Sequence, residues 1–197
     1  MRILRSSDHR RMPWKNGGGE TTEIAVYPEG AGLDDFQWRV SMARVDGSGP
    51  FSLFPGIDRT LAILEGAGIL LDVTGEPQQR LTLESAPHAF PADAATSADL
   101  IAGSVLDFNV MSRRGVTNHR VTRSRAELVS PGGTTRLDLC ANGSRALSIG
   151  GRRDVLGKMD AAVIDSAQSA NFSPVDGGEY YVVEFESAEA PSVSLSD

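Results

Sequence analysis

The sequence predicts an all-β fold of antiparallel strands with little helix. In several short runs, apolar and polar residues alternate with a period of two, the pattern of strands that bury one face. In addition, 21 glycines and 10 prolines among 197 residues supply many turns and leave little room for long helices. Short strands separated by regularly spaced turns are typical of an antiparallel sandwich or barrel.

The clearest alternation covers residues 36–42. Phe36, Trp38, Val40 and Met42 are predicted to share one face of a strand, with Arg39 on the other. One short helix is predicted over residues 124–128. Further strands are predicted at 23–27, 60–64, 68–73, 80–83, 104–111, 118–123, 135–140, 145–149, 161–164 and 180–186.

A degenerate internal repeat is predicted between residues 69–109 and 146–185. Both stretches run from a strand through a polar turn to another strand, a proline-containing turn and an apolar strand, and residues 152–154 form the polar turn of the second. The alternative is that any β protein alternates strands and turns. The repeat predicts two units, 1–115 and 116–197, with strands that could be shared between them, and the tail after Ser187 is predicted to fray.

The composition excludes several classes of protein. A formal charge of −7 opposes a general affinity for nucleic acid. No segment approaches the ~20 apolar residues that cross a bilayer, and residues 1–11 are not followed by the apolar run of a signal peptide. The single cysteine, Cys140, allows no intramolecular disulfide, which fits the reducing conditions of the cytoplasm.

The first candidate ligand-binding segment is glycine-rich and contains Trp14-Lys15-Asn16-Gly17-Gly18-Gly19. Three glycines let the backbone approach a ligand closely, beside a cation, an amide and an aromatic ring. The segment lacks the Gly-Lys-Ser/Thr ending of a phosphate-binding loop. By spacing alone, a flexible turn between two edge segments is an equally good interpretation.

Two further segments carry charged and polar residues. Residues 49–59 end in Asp58 and Arg59, which could orient each other, and Arg39 is expected nearby on its own strand. An arginine fork matches a carboxylate with two hydrogen bonds, although a surface ion pair is the commoner reason for such neighbours. On the strand at 104–111, Asp107, Asn109 and Met111 share a face, and Phe108 and Val110 face the other way. The polar pair points either into a barrel or outward to water.

These segments carry a resemblance to a known family. Trp-Lys-Asn-Gly-Gly-Gly-x-Thr-x-Glu-Ile, Phe-x-Trp-Arg-x-Ser, Gly-Pro-Phe-Ser-x-Phe-Pro-Gly-x-Asp-Arg and Asp-Phe-Asn-Val-Met-x-Arg-Arg-Gly occur in the order of the HutD/Ves signature, over roughly residues 10–115. The resemblance implies a double cupin (bicupin) of two jelly-roll units, with the motifs in the first. It also implies a link to histidine utilisation, where the HutD branch is thought to regulate or to bind a metabolite, whereas the Ves branch is associated with stress or cold.

The histidines argue against a metal enzyme, and no cofactor is predicted. Most catalytic cupins hold their metal through a His-x-His pair, a glutamate and a later histidine. This sequence has only His9, His88 and His119, and none forms such a pair. His119 is therefore predicted to be structural, and a metal-free pocket is expected.

The leading hypothesis is a regulatory protein that binds a small carboxylate such as urocanate or formylglutamate, acids that the resemblance suggests. Arg39, Arg59 and Lys15 would bind the acid, and Trp38 is expected in the core. Asp107 and Asn109 would hold those cations or bind a polar group of the ligand. Alternatives are a metal-independent isomerase or hydrolase, with Asp58 or Asp107 as general base, and a protein-interaction scaffold. Since cupins often pair through sheet edges, a homodimer is suggested by analogy. The predicted ligand-binding residues are Trp14, Lys15, Asn16, Gly17, Arg39, Phe54, Asp58, Arg59, Phe90, Asp107 and Asn109.

Overall fold

A computed structural model of the protein describes residues 1–15, 17–130, 132–176 and 178–188. In the first half of the chain its strands are β1 (Arg2–Leu4), β2 (Arg10–Pro13), β3 (Gly19–Tyr27), β4 (Trp38–Val45), β5 (Gly49–Pro50), β6 (Ile57–Glu65), β7 (Ile69–Val73), β8 (Gln79–Leu81), β9 (His88–Pro91), β10 (Thr96–Leu100) and β11 (Val105–Arg113). In the second half they are β12 (Thr117–Ser124), β13 (Leu128–Ser130), β14 (Thr135–Cys140), β15 (Arg145–Ile149), β16 (Arg152–Leu156), β17 (Ala161–Ile164), β18 (Ala170–Pro174) and β19 (Tyr180–Ser187). Within the described ranges the helical structure is one 3-10 turn, Ser6–Asp8, so the prediction of an all-β fold with little helix is confirmed.

The strands form four antiparallel sheets, which we name by position. The first inner sheet has the order β2-β3-β4-β11-β6-β9, and the first outer sheet has the order β5-β10-β7-β8. The second inner sheet has the order β1-β17-β14-β19-β12, and the second outer sheet has the order β13-β18-β15-β16. The first inner and outer sheets are called the first unit, and the second inner and outer sheets are called the second unit.

Three cores hold the four sheets in layers. Leu61 of the first inner sheet belongs to one cluster with Leu71 of the first outer sheet. The two inner sheets pack on each other through a second cluster, in which the rings of Phe108 and Tyr181 lie 5.4 Å apart. A third cluster, which includes Phe172, lies between the second inner and outer sheets. Both faces of each inner sheet are therefore covered, and apolar residues bury large areas on both.

The two units repeat the same arrangement of strands. The order β4-β11-β6-β9 of the first inner sheet recurs as β12-β19-β14-β17 in the second, and β5-β10-β7-β8 recurs as β13-β18-β15-β16 in the outer sheets. The predicted repeat lies inside this duplication, since it pairs β7–β11 with β15–β19. One detail of the prediction was wrong, because residues 152–154 begin strand β16 instead of forming a turn. β1, β2 and β3 stand outside the repeat.

The hydrogen-bond registers, together with the contacts between the inner sheets, show which residues correspond in the two units. Arg39, Met111 and Arg59 are direct neighbours across β4, β11 and β6. Their counterparts across β12, β19 and β14 are, in the same order, Arg120, Glu184 and Arg136. This correspondence is the basis for comparing the interiors of the two units.

Contacts between the inner sheets support this correspondence. Trp38, which precedes Arg39, stacks on Phe185 with ring centroids 4.3 Å apart. The counterpart of Trp38 is His119 and that of Phe185 is Ser112, and these two also meet, with Nδ1 and Oγ 2.6 Å apart. The same pair of positions thus meets twice, as it does when two similar units are related by a two-fold axis. Trp38 lies in this core, as expected.

Two predictions of local structure were wrong. Residues 124–128 form no helix, because Ser124 is the last residue of β12 and pairs with Tyr180 of β19. Phe36 does not share a strand face with Trp38, because the chain bends at Gln37, whose N–H donates to the carbonyl of Tyr27. Phe36 instead packs in a separate cluster that includes Met111 on the interior side of the first unit.

Residues at the start of the chain join the second unit. β1 pairs with β17 at the edge of the second inner sheet, and Arg5 donates hydrogen bonds to Asp154 and Asp160. β2 then pairs with β3 in the first inner sheet. The first 13 residues therefore connect the two units. No helix in the described ranges is long and apolar enough to span a membrane.

Candidate functional site

The interior face of the first inner sheet carries a group of charged and polar side chains. Alternation along β4, β6 and β11 directs Arg39, Arg59, Asp107 and Asn109 towards the first outer sheet, while Phe108 and its neighbours face the second unit. The predicted faces of the strand at 104–111 are thus the observed ones. The fold brings these four predicted residues together from three adjacent strands.

Arg59 lies at the centre of an aromatic enclosure. Its side chain is almost fully buried, and its guanidinium carbon lies 5.3 Å, 5.4 Å and 5.9 Å from the ring centroids of Phe51, Phe54 and Phe90. These distances are those of cation–π contacts. Nη2 donates to the sulfur of Met111 at 3.4 Å, and Nε has no hydrogen-bond partner.

Arg59 also lacks a partner of opposite charge. No carboxylate oxygen of the described residues lies within 4 Å of its guanidinium nitrogens. The other buried arginines, Arg39, Arg136 and Arg145, each have a carboxylate oxygen within that distance. Burial lowers the pKa of Arg59 to about 10, and Asp107 opposes this shift. The side chain remains a cation at neutral pH. A buried cation without a paired anion is costly, so the enclosure favours an anion that could lie against it.

Arg39 is held by a carboxylate from the neighbouring strand. Its Nε donates to Oε2 of Glu23 at 2.8 Å, and the arginine side chain is 7% exposed. β3 and β2 lie beyond β4 in the first inner sheet, which explains this burial. Glu23 was not predicted as a site residue, although the alternation of β3 could have placed it on this face.

Asp107 and Asn109 form the polar floor of the enclosure. The amide nitrogen of Asn109 donates to Oδ1 of Asp107 at 2.5 Å. Burial raises the pKa of Asp107 to about 7, although the charge of Arg59 and hydrogen bonds from Ala43 and Asn109 oppose the shift. Asp107 does not form an ion pair with Arg59 within 4 Å, so the expectation that it would hold the cations directly is wrong in this structure. It can accept or donate a hydrogen bond near neutral pH.

The glycine-rich segment joins β2 to β3 beside this interior. Trp14 packs against the cluster that contains Leu61, and its indole N–H donates to Oγ1 of Thr21 at 2.8 Å. A Cβ on Gly19 would lie 2.1 Å from the carbonyl oxygen of Arg44, so only glycine fits there. Gly17 has a φ of 70° and is exposed.

Two other predicted residues of the site do not join the buried group. Lys15 is exposed in the turn, and Asn16 lies outside the described residues. Asp58 faces away from the interior because it is adjacent to Arg59 on β6. Its carboxylate accepts hydrogen bonds from Arg114, at 2.7 Å and 3.1 Å, so Asp58 and Arg59 do not orient each other.

A cleft of about 340 Å³ lies between β6 and β9 of the first inner sheet and β12 of the second. Asp58, Thr60, Ser112 and His119 line this cleft, and so do Arg59 and Phe90. The ring nitrogens of His119 lie 2.8 Å from Oγ1 of Thr60 and 2.6 Å from Oγ of Ser112. Burial lowers the pKa of His119 to about 4, so the ring is neutral and bridges two hydroxyl groups, as a structural histidine does.

Three residues of the enclosure were missed by the prediction. Phe51 occurs in the segment 49–59 but was not selected as a site residue. Met111 was predicted on the same strand face as Asp107 but was given no role. Leu61 has an apolar side chain and gave no signal. In the described part of the chain, no three His, Cys, Asp or Glu residues are grouped as a metal site requires.

Comparison with known proteins identifies the family. The HutD family model matches residues 6–182. The chain belongs to the HutD family. An uncharacterised 21.2 kDa protein of the hutC 3′ region in Pseudomonas putida is 41% identical over 137 residues, which cover 70% of this chain and 67% of that protein. The Ves protein of Citrobacter koseri is 40% identical over 111 residues, which cover 54% of this chain and 56% of Ves.

Solved structures agree with the family and the fold. HutD from Pseudomonas fluorescens SBW25, solved in a formate condition, is 31% identical with a TM-score of 0.80, and the match covers 95% of this chain and 99% of that one. Oxalate decarboxylase from Bacillus subtilis shares the fold at 8% identity, with a TM-score of 0.66 over 93% of this chain and 75% of that one. The fold is therefore cupin-like, as the resemblance implied.

Proposed function

We propose that the protein binds a small carboxylate in the first unit, with Arg59 as the principal partner of the acid. The observation that carries this proposal is the unpaired, buried guanidinium of Arg59 inside an aromatic enclosure. A carboxylate fits the donor fork of arginine and neutralises the buried charge. We also propose that the two similar units are the two halves of a double cupin.

The surroundings of Arg59 favour a particular kind of acid. Phe51, Phe54 and Phe90 offer apolar walls. Along β11, Asn109 and Asp107 offer hydrogen-bonding groups two and four residues from Met111, the cross-strand neighbour of Arg59. A molecule with a carboxylate at one end and a polar group at the other matches this arrangement. Urocanate and formylglutamate have this form. The relative from the hutC 3′ region supports a link to histidine utilisation, and the regulatory role that we propose there is the one that the resemblance implies.

Replacing Arg59 tests the proposal. The thermal unfolding of wild-type protein is measured with and without formate, urocanate and formylglutamate, since a ligand that prefers the native state raises the melting temperature. In Arg59→Met the affinity for the stabilising acid should fall at least about 30-fold, because losing one partner of a buried charge pair costs about 2–5 kcal/mol. The unliganded variant should be as stable as wild type or more stable, because an unpaired buried cation has been removed.

Arg114→Met is the matched control. Arg114 directly follows β11 and pairs with Asp58 and Asp93, and its side chain is 46% exposed. This variant should bind the acid as wild type does. Normal binding by Arg59→Met, or an equal loss in both variants, would show that the acid does not bind where we propose.

A metal-independent enzyme is the second candidate, because burial places the pKa of Asp107 near 7. A general base works best when its pKa is close to the working pH. Incubation of metal-stripped protein with the stabilising acid, followed by NMR of the acid, distinguishes the two functions. Turnover that disappears in Asp107→Asn would favour the enzyme, and saturable binding without turnover would favour the binding protein.

A further inference from the structure

The interior of the second unit contains the counterpart of Arg59, and this arginine is fully paired. Arg136 is 3% exposed, and its Nε and Nη2 donate to the two carboxylate oxygens of Asp138 at 2.7 Å and 2.6 Å. Asp138 is completely buried and lies 3.7 Å from Nη1 of Arg145, whose guanidinium nitrogens form no hydrogen bond and instead pack over the rings of Phe172 and Tyr180. The second unit therefore supplies, from its own chain, a carboxylate that accepts two hydrogen bonds from Arg136.

The counterpart of Arg39 in the second unit, on strand β12, is paired as well. Arg120, the counterpart of Arg39, donates from Nε and Nη2 to Oε2 of Glu184 at 3.0 Å and 2.7 Å. Glu184 lies on β19 between Arg120 and Arg136. Arg120 and Arg136, the two cross-strand neighbours of Glu184, thus both have acidic partners on the repeated strands β14 and β19.

The first unit lacks both of these carboxylates. Asp138 lies between Val182 and Ala162 in its sheet, and the matching position between Asn109 and His88 is Leu61. The position that matches Glu184 is Met111. In the first unit Arg39 recovers an acidic partner from Glu23 on β3, a strand without a counterpart in the second unit.

Arg59 is therefore left unpaired at the positions where its counterpart has an internal carboxylate. We infer that the second unit is a self-occupied copy of the ligand site, in which Asp138 supplies the carboxylate that a free acid supplies in the first unit. Leu61 is then a specificity-determining residue, because its apolar side chain leaves the donor fork of Arg59 free. This inference rests on the proposed function and places the carboxylate of the ligand beside Leu61 and Met111.

Leu61→Asp tests the inference by giving the first unit the carboxylate of the second. The introduced group stands two residues from Arg59 on the same strand face, as Asp138 stands from Arg136, and it should pair with that arginine. Formate, used as the probe, should then bind at least tenfold more weakly than to wild type in a calorimetric titration. Leu61→Asn is the control, because its side chain has the same size as aspartate but cannot neutralise Arg59, and it should bind formate more tightly than Leu61→Asp.

Asp138→Asn tests the converse, that removing the internal carboxylate opens a second site. The variant is made in the Arg59→Met background, where the first site is silent. Formate should raise the melting temperature of Arg59→Met/Asp138→Asn and leave Arg59→Met unchanged. Should the double variant fail to fold without salt, refolding that depends on the formate concentration gives the same readout.

The outcomes separate this inference from the proposed function. Formate binding to Leu61→Asp with wild-type affinity, or no formate response of the Asp138→Asn double variant, would overturn the inference. Absence of any acid response in wild type, with a response gained by the double variant, would overturn the proposed function and leave the correspondence of the two units standing.

Discussion

Asp107 is the residue in the site whose charge state depends most on its surroundings. It lies fully inside the first unit, and burial raises its pKa to about 7, while Arg59 and two hydrogen bonds oppose the shift. Since the pKa is 3.8 in the unfolded chain, the folded protein holds a proton between about pH 4 and pH 7 that the unfolded chain has released. In that window the free energy of unfolding falls as the pH rises.

Asp107→Asn should remove this dependence. Asparagine has nearly the same shape, keeps a hydrogen bond to Asn109 available and carries no charge to bury. The free energy of unfolding of the variant minus that of wild type should increase from pH 4 to pH 7, by at most about 1.4 kcal/mol per pH unit. Urea denaturation at three pH values measures it, with Asp72→Asn, an exposed position on β7, as the control. A difference that does not change with pH would show that Asp107 is already ionised at low pH.

At the scale of the strand, the sequence predicted much of the site. Alternation placed Asp107 and Asn109 on one face of β11 and Phe108 on the other, and it separated Trp38 from Arg39 on β4, because side-chain direction depends only on position along a strand. Alternation could also have excluded Asp58, which is adjacent to Arg59.

The partners of these residues could not be predicted in the same way. Glu23 reaches Arg39 because β3 pairs with β4, and Phe51 reaches Arg59 because its N–H bonds to Thr96 on β10. Such pairings join residues far apart in the chain, and their registers depend on the whole fold. The role of Leu61 becomes visible only when the two units are compared.

His119 on β12 links the two inner sheets, because its ring nitrogens contact the hydroxyl groups of Thr60 and Ser112 in the first. Burial lowers its pKa to about 4 from 6.5 in the unfolded chain, and nearby Asp58 opposes this shift. Between pH 6.5 and pH 4 the unfolded chain therefore binds a proton that the folded protein does not. Over that window the free energy of unfolding decreases as the pH falls, a slope opposite in sign to that of Asp107.

His119→Gln should remove this contribution, because glutamine carries a donor and an acceptor but does not titrate. The stability advantage of wild type over the variant should shrink as the pH falls from 6.5 to 4, by at most about 1.4 kcal/mol per pH unit, and stay constant above pH 7. Chemical denaturation measures the stability, and the NMR chemical shifts of the imidazole in wild type check the titration. A ring that titrates near pH 6.5 in the folded protein would contradict the expectation.

At the scale of the whole molecule, the two inner sheets share one core, and we expect the two units to unfold together for that reason. Val40, Phe108 and Tyr181 belong to a single core that neither unit could bury alone. β1 adds a second connection, since it extends the second inner sheet before the chain enters the first. Loss of packing in the second unit should therefore destabilise the first, where the proposed ligand binds.

Phe185→Ala tests this coupling. Phe185 is 4% exposed, belongs to the second unit and stacks on Trp38 of the first, so its removal should cost about 3–5 kcal/mol of unfolding free energy. Trp14 packs on the core of the first unit, whereas Trp38 lies in the shared core against Phe185, so the fluorescence of Trp14 is followed in a Trp38→Phe background to report the first unit, whereas far-ultraviolet circular dichroism reports all strands. The two signals should give one coincident transition, shifted equally in the variant, because the shared core couples the unfolding of the two units. Val175→Ala, at a residue 57% exposed, should shift neither signal. Separate transitions, with fluorescence keeping the midpoint of the Trp38→Phe protein, would mean that the units unfold independently and that the second does not support the site.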